Sequence, residues 1–341
     1  MSTKLKIIFL ENHLSVRGTT NAVFNYALYN ETVLGNESLI VTRPFEMFRG
    51  REDVSEDIYL KFTQRFRVLY YNHPSHIQAI IDTEKPDWIY VLKLGNTSDG
   101  LCGFRGVKTF VHCVGPPTEP HGDVYSTISE WWTNEFRLPD GSKANVLPHI
   151  VSIDEEEKGD LREELGIPKD AVVWGRHGGY STFDMVKAQR AVDRVSAARP
   201  DVYFVFLHTK PFCSPRPNVI HLPATVDEKR KRRFINTCDA MVYGREIGES
   251  FGLAIGEFSR ANKPIFCSTT DDKGKLMMER YHKTVLGDQA YWYDTEEDLV
   301  GLMMNYTTAR RDEDRSKDWD MYSAYSPQNV MKIFDGLVRS K

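Results

Sequence analysis

The chain has 341 residues, of which 41% are hydrophobic, 27% charged and 12% aromatic, and its formal net charge is −4 at pH 7. A slightly negative charge argues against a nucleic-acid-binding protein, whose surface would be strongly basic, and no apolar run approaches the ~20 residues that a membrane-spanning helix needs. The length favours two domains, because one hydrophobic core rarely serves more than about 250–300 residues. The five cysteines are scattered without a CxxC pair, which predicts reduced thiols in a cytoplasmic protein rather than disulfides or a zinc site.

Short runs rich in Val, Ile, Phe and Tyr alternate with helical segments through the first half of the chain. Helices are predicted over Asn21–Tyr29 and Ser75–Thr83. Strands that are apolar on both faces and separated by helices indicate a parallel sheet covered on both sides. We therefore expect an α/β, Rossmann-like doubly wound domain over residues 1–150. Its predicted strands are Lys6–Leu10, Ser38–Thr42, Val68–Asn72, Trp88–Leu92 and Thr109–Cys113.

The same alternation restarts after Pro148 and predicts a second Rossmann-like domain over residues 151–325. Apolar residues at spacings of three and four over Met185–Val195 predict a helix with one buried face. Residues 326–341 form a C-terminal helix with Pro327 at its first position, and we expect this helix to pack back on the first domain. The predicted strands of the second domain are Val172–Gly175, Tyr203–Leu207, Val219–Leu222, Ala240–Tyr243 and Pro264–Ser268.

Two glutamates flank the start of a helix in the second domain. The strand Ala240–Tyr243 leads into a loop, and the helix is predicted to begin near Gly252 and to end before Pro264. The free amides and positive dipole of a helix start suit a diphosphate, and a glycine lets a ligand approach the backbone closely. Of Glu249 in the loop and Glu257 in the helix, one carboxylate can then accept hydrogen bonds from sugar hydroxyls and the other from ribose hydroxyls. The plainer alternative is a pair of solvated glutamates on a surface helix.

The segment Glu249–Glu257, with Phe-Gly at its third and fourth positions and Asn-Lys-Pro-Ile further on, resembles the E-x7-E signature of retaining GT-B glycosyltransferases, in particular the family-four group. The resemblance extends over most of the chain, through the interdomain segment Val146–Ile153 and the donor-domain segment Leu161–Gly175. It implies a GT-B fold, with two Rossmann-like domains facing each other across a cleft: residues 1–150 as the acceptor-side domain and residues 151–325 as the nucleotide-sugar donor domain. It also implies transfer of a sugar from a nucleoside-diphosphate donor, such as a UDP- or GDP-sugar, to a hydroxyl of a glycan or glycoconjugate, with no cofactor and no metal.

Arg176 follows the strand Val172–Gly175 beside two glycines, where a guanidinium can clamp a diphosphate. Members of the family carry a phosphate-binding lysine a few residues further on, but Tyr180–Phe183 contains none. Lys210 and Arg245 are the candidate replacements; the alternatives are an ordinary surface lysine and an ion pair between Arg245 and its neighbour Glu249. Donor or nucleotide contacts are predicted for Gly18, Thr19, Arg176, Lys210, Leu222, Ala224, Arg245, Ser250, Phe251, Gly252, Leu253 and Glu257.

In the first domain, Val16–Thr20 resembles the glycine loop that faces the donor in this family, and its incomplete GxGxxG pattern argues against a dehydrogenase. His112 lies near the end of a predicted strand, where a family histidine reaches the transferred sugar; the alternative is a hydrogen-bonded core histidine. The resemblance makes His112, Glu249 and Arg176 the catalytic candidates, with domain closure bringing His112 onto the donor. In the loop after this strand, His121 and Asp123 are candidate acceptor contacts, candidate metal ligands, or parts of a hydrogen-bonded turn.

Three charged segments resemble functional motifs but are predicted to be ordinary surface. Two segments resemble the DxD metal motif, Asp312–Asp314 and Asp318–Asp320, but they follow no strand and are predicted to be solvated. The basic run Lys229–Arg233 is predicted to cover one exposed helix face. Lys61–Arg67 is either part of an amphipathic helix or a peripheral membrane contact for a lipid-linked acceptor. Because the lysine is missing, one alternative is a GT-B protein that binds sugar nucleotides without catalysing transfer. A GT-B epimerase is a further alternative.

Overall fold

The computed structural model describes residues 3–341. They divide into two compact units, one ending at residue 150 but completed by residues 324–341, and one of residues 151–323. Each unit is built on a parallel sheet flanked by helices.

The first unit contains a seven-stranded parallel sheet in the order β3-β2-β1-β4-β5-β6-β7. Its core strands are buried on both faces, as the apolar runs predicted; every residue of Trp88–Lys93 is buried. The strands are β1 Lys6–Leu10, β2 Glu37–Thr42, β3 Arg67–Tyr70, β4 Trp88–Lys93, β5 Lys108–Cys113, β6 Val124–Thr127 and β7 Asn145–Val146. The helices between them are α1 Gly18–Thr32, α2 Glu56–Arg65, α3 Ser75–Glu84 and α4 Glu130–Glu135, and a 3-10 turn covers Phe45–Phe48.

The second unit contains a six-stranded parallel sheet in the order β10-β9-β8-β11-β13-β15 and a separate parallel pair, β12-β14. Its strands are β8 Val172–His177, β9 Val202–Leu207, β10 Val219–Leu222, β11 Ala240–Val242, β12 Gly248–Glu249, β13 Ile265–Cys267, β14 Glu279–Arg280 and β15 Tyr291–Trp292. Its helices are α5 Val186–Ala198, α6 Glu228–Thr237, α7 Leu253–Arg260, α8 Tyr281–Leu286, α9 Glu296–Met304 and α10 Thr308–Asp314.

The C-terminal helix α11, Pro327–Arg339, belongs to the first unit, where it contacts α1. Its Phe334 packs against Tyr26 of α1 and against Tyr90 and Phe110 of the sheet, with ring centroids 5.5–5.9 Å apart. These four aromatic side chains are fully buried, so the helix completes the core on this face of the sheet.

Every strand predicted from the sequence is present, with ends shifted by at most two residues. The predicted helices are confirmed as α1, α3, α5, α7 and α11, and Lys61 lies in α2, as the amphipathic-helix interpretation of Lys61–Arg67 requires, while Arg67 begins β3. The prediction of solvated charges at Asp312–Asp314 is wrong for Asp314. This carboxylate is buried and accepts hydrogen bonds from the Tyr291 hydroxyl at 2.7 and 2.9 Å. Within residues 3–341, no helix combines the length and the apolar character needed to cross a membrane.

Candidate functional site

The loop between β11 and α7 has the backbone that the sequence predicts for a ligand-binding helix start. Gly252 is the N-cap of α7 and has a φ of +87°, a left-handed conformation that favours glycine. No side chain caps the helix, and Leu253 and Ala254 are partly exposed. The Tyr322 hydroxyl donates a 2.9 Å hydrogen bond to the carbonyl of Phe251 and so anchors the loop. The first amides of α7 therefore remain available to an anion.

The same loop positions Glu249 through a two-stranded pairing that the sequence did not reveal. Gly248 and Glu249 form β12 and pair with β14, and a Cβ atom on Gly248 would lie 1.8 Å from the carbonyl oxygen of Glu279. The guanidinium of Arg245 lies 3.0 Å from the Glu249 carboxylate, so the Arg245–Glu249 ion pair considered above is present. Burial raises the pKa of Glu249, against the opposing charges of Arg245 and Arg176.

Glu257 is buried in the second unit, with 4% of its surface exposed. Lys231 Nζ lies 2.8 Å from Oε1, and His177 Nε2 lies 2.9 Å from Oε2. Burial alone would raise the pKa of this carboxyl, but the charges of Lys231 and His177 outweigh burial and lower it to about 2. The prediction that Lys229–Arg233 covers only an exposed helix face is therefore wrong for Lys231. Nothing local distinguishes Lys231 from its basic neighbours, and His177 was missed because only its contact with Glu257 reveals it.

Arg176 is a buried cation in β8, with 5% of its surface exposed. Its guanidinium donates hydrogen bonds to the hydroxyls of Thr209, at 2.6 Å, and Thr182, and to the carbonyl of Gly179. Among residues 3–341 it forms no ion pair within 4.0 Å, and burial lowers its pKa to about 10. A buried guanidinium held by neutral groups is suited to an incoming anion.

The remaining predicted donor contacts follow the neighbouring strands. Lys210, after β9, is exposed, and its backbone N–H donates a 2.8 Å hydrogen bond to the Tyr180 carbonyl. Leu222 ends β10 and its carbonyl accepts from the His208 N–H at 2.9 Å, while Ala224 is exposed. Because the strands are parallel, the segments after β8, β9, β10 and β11 all lie at the carboxyl edge of this sheet, where such folds bind ligands.

In the first unit, His112 ends up in the core rather than at a free surface. It is fully buried, its Nε2 lies 2.7 Å from the Leu147 carbonyl, and its Nδ1 lies 2.6 Å from the Tyr90 hydroxyl. A carbonyl only accepts, so Nε2 carries the proton and donates, and Nδ1 accepts from Tyr90. Burial holds the pKa of His112 well below its usual value. Both nitrogens have hydrogen-bond partners within the first unit, as the core-histidine alternative expects, and the catalytic role of His112 stays a prediction.

The two candidate acceptor residues are hydrogen-bonded within the first unit, His121 to its own turn and Asp123 to β5. His121 Nδ1 donates to the Glu119 carbonyl at 2.7 Å, and an Asp123 carboxylate oxygen accepts from the Thr109 backbone N–H at 2.7 Å. Gly18 and Thr19 open α1, whose N-cap Arg17 makes no side-chain cap. Within residues 3–341 no cluster of three or more His, Cys, Asp or Glu side chains is arranged to hold a metal ion.

No protein-family model and no curated protein sequence matches the chain. Solved structures do match over its whole length. HepE of Anabaena, in complex with UDP and glucose, has a TM-score of 0.72 and 13% identity over 99% of this chain and all of that one. A glycosyltransferase from Rickettsia africae has a TM-score of 0.68 and 12% identity over 99% of both chains. Sucrose-phosphate synthase from Thermosynechococcus elongatus has a TM-score of 0.64 and 11% identity over 99% of this chain and 97% of that one. The GT-B fold predicted from the sequence is therefore confirmed.

Proposed function

We propose that the chain is a glycosyltransferase that moves a sugar from a nucleoside-diphosphate donor to an acceptor hydroxyl. The observation that carries the proposal is Arg176, a buried guanidinium without a carboxylate partner, at the same sheet edge as the uncapped start of α7. A diphosphate bound there would satisfy both groups. The fold, shared with HepE in complex with UDP and glucose, supports the same conclusion.

The two glutamates take separate roles in this proposal. Glu249 accepts from hydroxyls of the transferred sugar, and Glu257 accepts from the ribose. Each carboxylate oxygen of Glu257 has one protein neighbour, Lys231 or His177, and an oxygen with two lone pairs can accept a second hydrogen bond. Lys231 and His177 act as positioning residues that keep Glu257 ionised.

Catalysis then rests on stabilising the leaving diphosphate. Charge that builds up on the phosphate oxygens would meet Arg176 and the amides of α7, which are already oriented before the reaction. Lys210 is the better replacement for the family's missing lysine, because it is exposed and makes no ion pair with any of residues 3–341, whereas Arg245 already pairs with Glu249. These protein cations would make a metal unnecessary. Retention at the anomeric carbon follows from the resemblance of Glu249–Glu257 to the retaining signature, with the leaving phosphate oxygen helping to deprotonate the acceptor.

Calorimetry against UDP, GDP, ADP and TDP identifies the base, and variants of Arg176 test the site. We expect Arg176→Gln to weaken binding of the preferred nucleotide at least tenfold, and Arg176→Lys to restore it only partly, since an amine lacks the planar fork. Arg190→Gln is the matched control, because Arg190 is an exposed arginine on α5. Equal affinities in the wild type and a folded Arg176→Gln variant would sink the proposal.

Two observations favour a binding protein without catalysis: the family's phosphate lysine is absent, and Arg245 is paired with Glu249. Hydrolysis of the nucleotide sugar separates the two functions, because a transferase transfers its sugar slowly to water whereas a binding module does not. We expect release of UDP from UDP-glucose, or of the corresponding nucleotide if another base is preferred. We expect release to be insensitive to EDTA and reduced by Glu249→Gln. Nucleotide binding with no release would favour the binding module.

A further inference from the structure

A second group of polar side chains lies at the carboxyl edge of the first unit's sheet, where β1 and β2 end. Glu11 directly follows β1 and Thr42 ends β2, and the Glu11 N–H donates to the Val41 carbonyl at 3.0 Å. Glu11 is 8% exposed and Thr42 is fully buried. We call Glu11, His13, Thr42 and Arg43 the β1–β2 edge.

Each residue of the β1–β2 edge has a buried polar atom without a hydrogen-bond partner among residues 3–341. These atoms are Glu11 Oε2, His13 Nε2, Thr42 Oγ1 and Arg43 Nε. Buried polar atoms in folded proteins nearly always have a hydrogen-bond partner, and each one left without a partner destabilises the fold. Four in one place indicate a surface shaped for a polar ligand.

The charges around this edge are unbalanced in favour of cations. Arg17 and Arg51 share one carboxylate, Asp53, at 2.8 and 3.2 Å. Arg43 lies 5.6 Å from the centre of the Tyr71 ring and, among residues 3–341, makes no ion pair. Burial lowers the pKa of His13, and the charges of Arg51, Arg17 and Arg43 lower it further against the single opposing carboxylate of Asp53. The potential at His13 is therefore positive.

Glu11 does not cancel this positive potential at neutral pH. Burial raises its pKa to about 8, against one opposing backbone hydrogen bond from Asn12. A neutral carboxyl can donate one hydrogen bond and accept others, and the Thr42 hydroxyl has the same capacity. The two side chains therefore match the hydroxyls of a sugar.

We propose that the β1–β2 edge binds the acceptor of the reaction, and that this acceptor is a hydroxylated molecule carrying an anionic group, a phosphate or a carboxylate. Arg43 contacts the anionic group, with Arg17 and Arg51 nearby, and Glu11 and Thr42 contact the hydroxyls. The acceptor role rests on the proposed function, whereas anion binding at this edge rests on the first unit alone.

The test is calorimetry of the full chain with glucose, glucose 6-phosphate and glucuronate, with and without saturating UDP (or the preferred nucleotide). We expect at least one of the two anionic sugars to bind at least tenfold more tightly than glucose, and the stronger of the two identifies the anion. Arg43→Gln should abolish this preference and leave nucleotide affinity unchanged, while Arg43→Lys should keep part of it. The matched control is Arg105→Gln, an exposed arginine before β5 at the opposite, amino edge of the sheet.

Three results would overturn the inference. The first is equal affinity for glucose and for both anionic sugars. The second is an equal effect of Arg43→Gln and Arg105→Gln. The third is a loss of nucleotide affinity in Arg43→Gln as large as its loss of anionic-sugar affinity, which would assign the arginine to the donor. If an anionic sugar binds through Arg43 but no nucleotide binds, the proposed function fails and the anion site stands.

Discussion

Lys231 Nζ lies 2.8 Å from Oε1 of Glu257, and this contact joins α6 to α7 inside the second unit. Both side chains are largely buried, with 14% and 5% of their surfaces exposed, and Lys231 also reaches Glu228 at 2.7 Å. The pair links one lysine of the basic run on α6 to the buried acidic residue on α7. It places the proposed ribose-binding carboxylate in a fixed, ionised position.

Removing either partner of this ion pair should destabilise the second unit. Lys231→Met leaves the Glu257 carboxylate buried with His177 as its remaining partner, and Glu257→Gln leaves Lys231 with Glu228. A single loss of this kind costs about 3–5 kcal/mol. Urea unfolding measures the loss in the free energy of unfolding. The loss in the double variant should be smaller than the sum of the losses in the two single variants. Lys229→Met is the control, because Lys229 is exposed; a loss in Lys231→Met no larger than in the control would show that the pair does not stabilise the fold.

The stability of the protein should depend on pH through Glu11. Its pKa of about 8 lies above the unfolded value near 4.5, so below pH 4.5 the group is protonated in both states and has no effect. As the pH rises from 4.5 to 8, the unfolded state loses the proton and the folded state keeps it. The free energy of unfolding therefore falls by roughly 1.4 kcal/mol per pH unit from this group. The glutamine of Glu11→Gln has no proton to lose. The free energy of unfolding of this variant relative to the wild type should therefore increase across this range.

Urea unfolding at pH 5, 6, 7 and 8 measures this difference. The phenols of Tyr59, Tyr71 and Tyr90 interact with the charge of Glu11. Burial raises their pKa values, to about 12 for Tyr59 and Tyr71 and well above 10 for Tyr90. They do not titrate in this range. Glu46→Gln, at an exposed glutamate, should show no such trend. A constant difference between Glu11→Gln and the wild type at all four pH values would contradict a neutral carboxyl in the folded state.

Glycine at position 248 should be required for the loop that carries Glu249. Its φ is +87°, and an added Cβ would meet the Glu279 carbonyl at 1.8 Å, so Gly248→Ala must break the β12–β14 pairing or strain it. We expect a loss of about 1–3 kcal/mol of stability together with weaker nucleotide-sugar binding. Gly301→Ala is the contrasting control: Gly301 lies in α9 with no atom within 4 Å of an added Cβ, and alanine there should stabilise by about 0.5–1 kcal/mol. Equal stability of the two variants would contradict the close approach at Gly248.

His112 should behave as a structural residue. His112→Ala leaves the Tyr90 hydroxyl and the Leu147 carbonyl unpaired in the core, which costs about 1–3 kcal/mol for each buried group. Thermal unfolding should show this loss, and hydrolysis of the nucleotide sugar per folded molecule should stay within a fewfold of the wild type. A large drop in hydrolysis with unchanged stability would restore the catalytic role that the family resemblance assigns to His112.

The sequence by itself determined the parts of this protein that depend on local pattern. Alternating apolar runs and helical periods predicted the two parallel sheets, and the spacing of Glu249, Gly252 and Glu257 predicted a helix start fit for a diphosphate. These features depend on the spacing of apolar side chains and on backbone conformations that mainly glycine adopts. Both can be recognised from residues close together in the sequence. The two-residue strands β7, β12, β14 and β15 and the four-residue strand β6 were missed, because such short segments show little or no period.

Only the tertiary structure decided how each polar residue is used. In sequence Lys231 resembles the other basic residues of α6, and only its contact with Glu257 of α7 distinguishes it. His112 resembles a ligand-binding residue at the end of a strand, but its nitrogens bond to Tyr90 and Leu147. Glu11 resembles a solvated glutamate, but the fold buries it. The physical reason is that burial and hydrogen-bond partners come from residues distant in the chain. The free energy of a charge depends on those partners far more than on its neighbours in sequence.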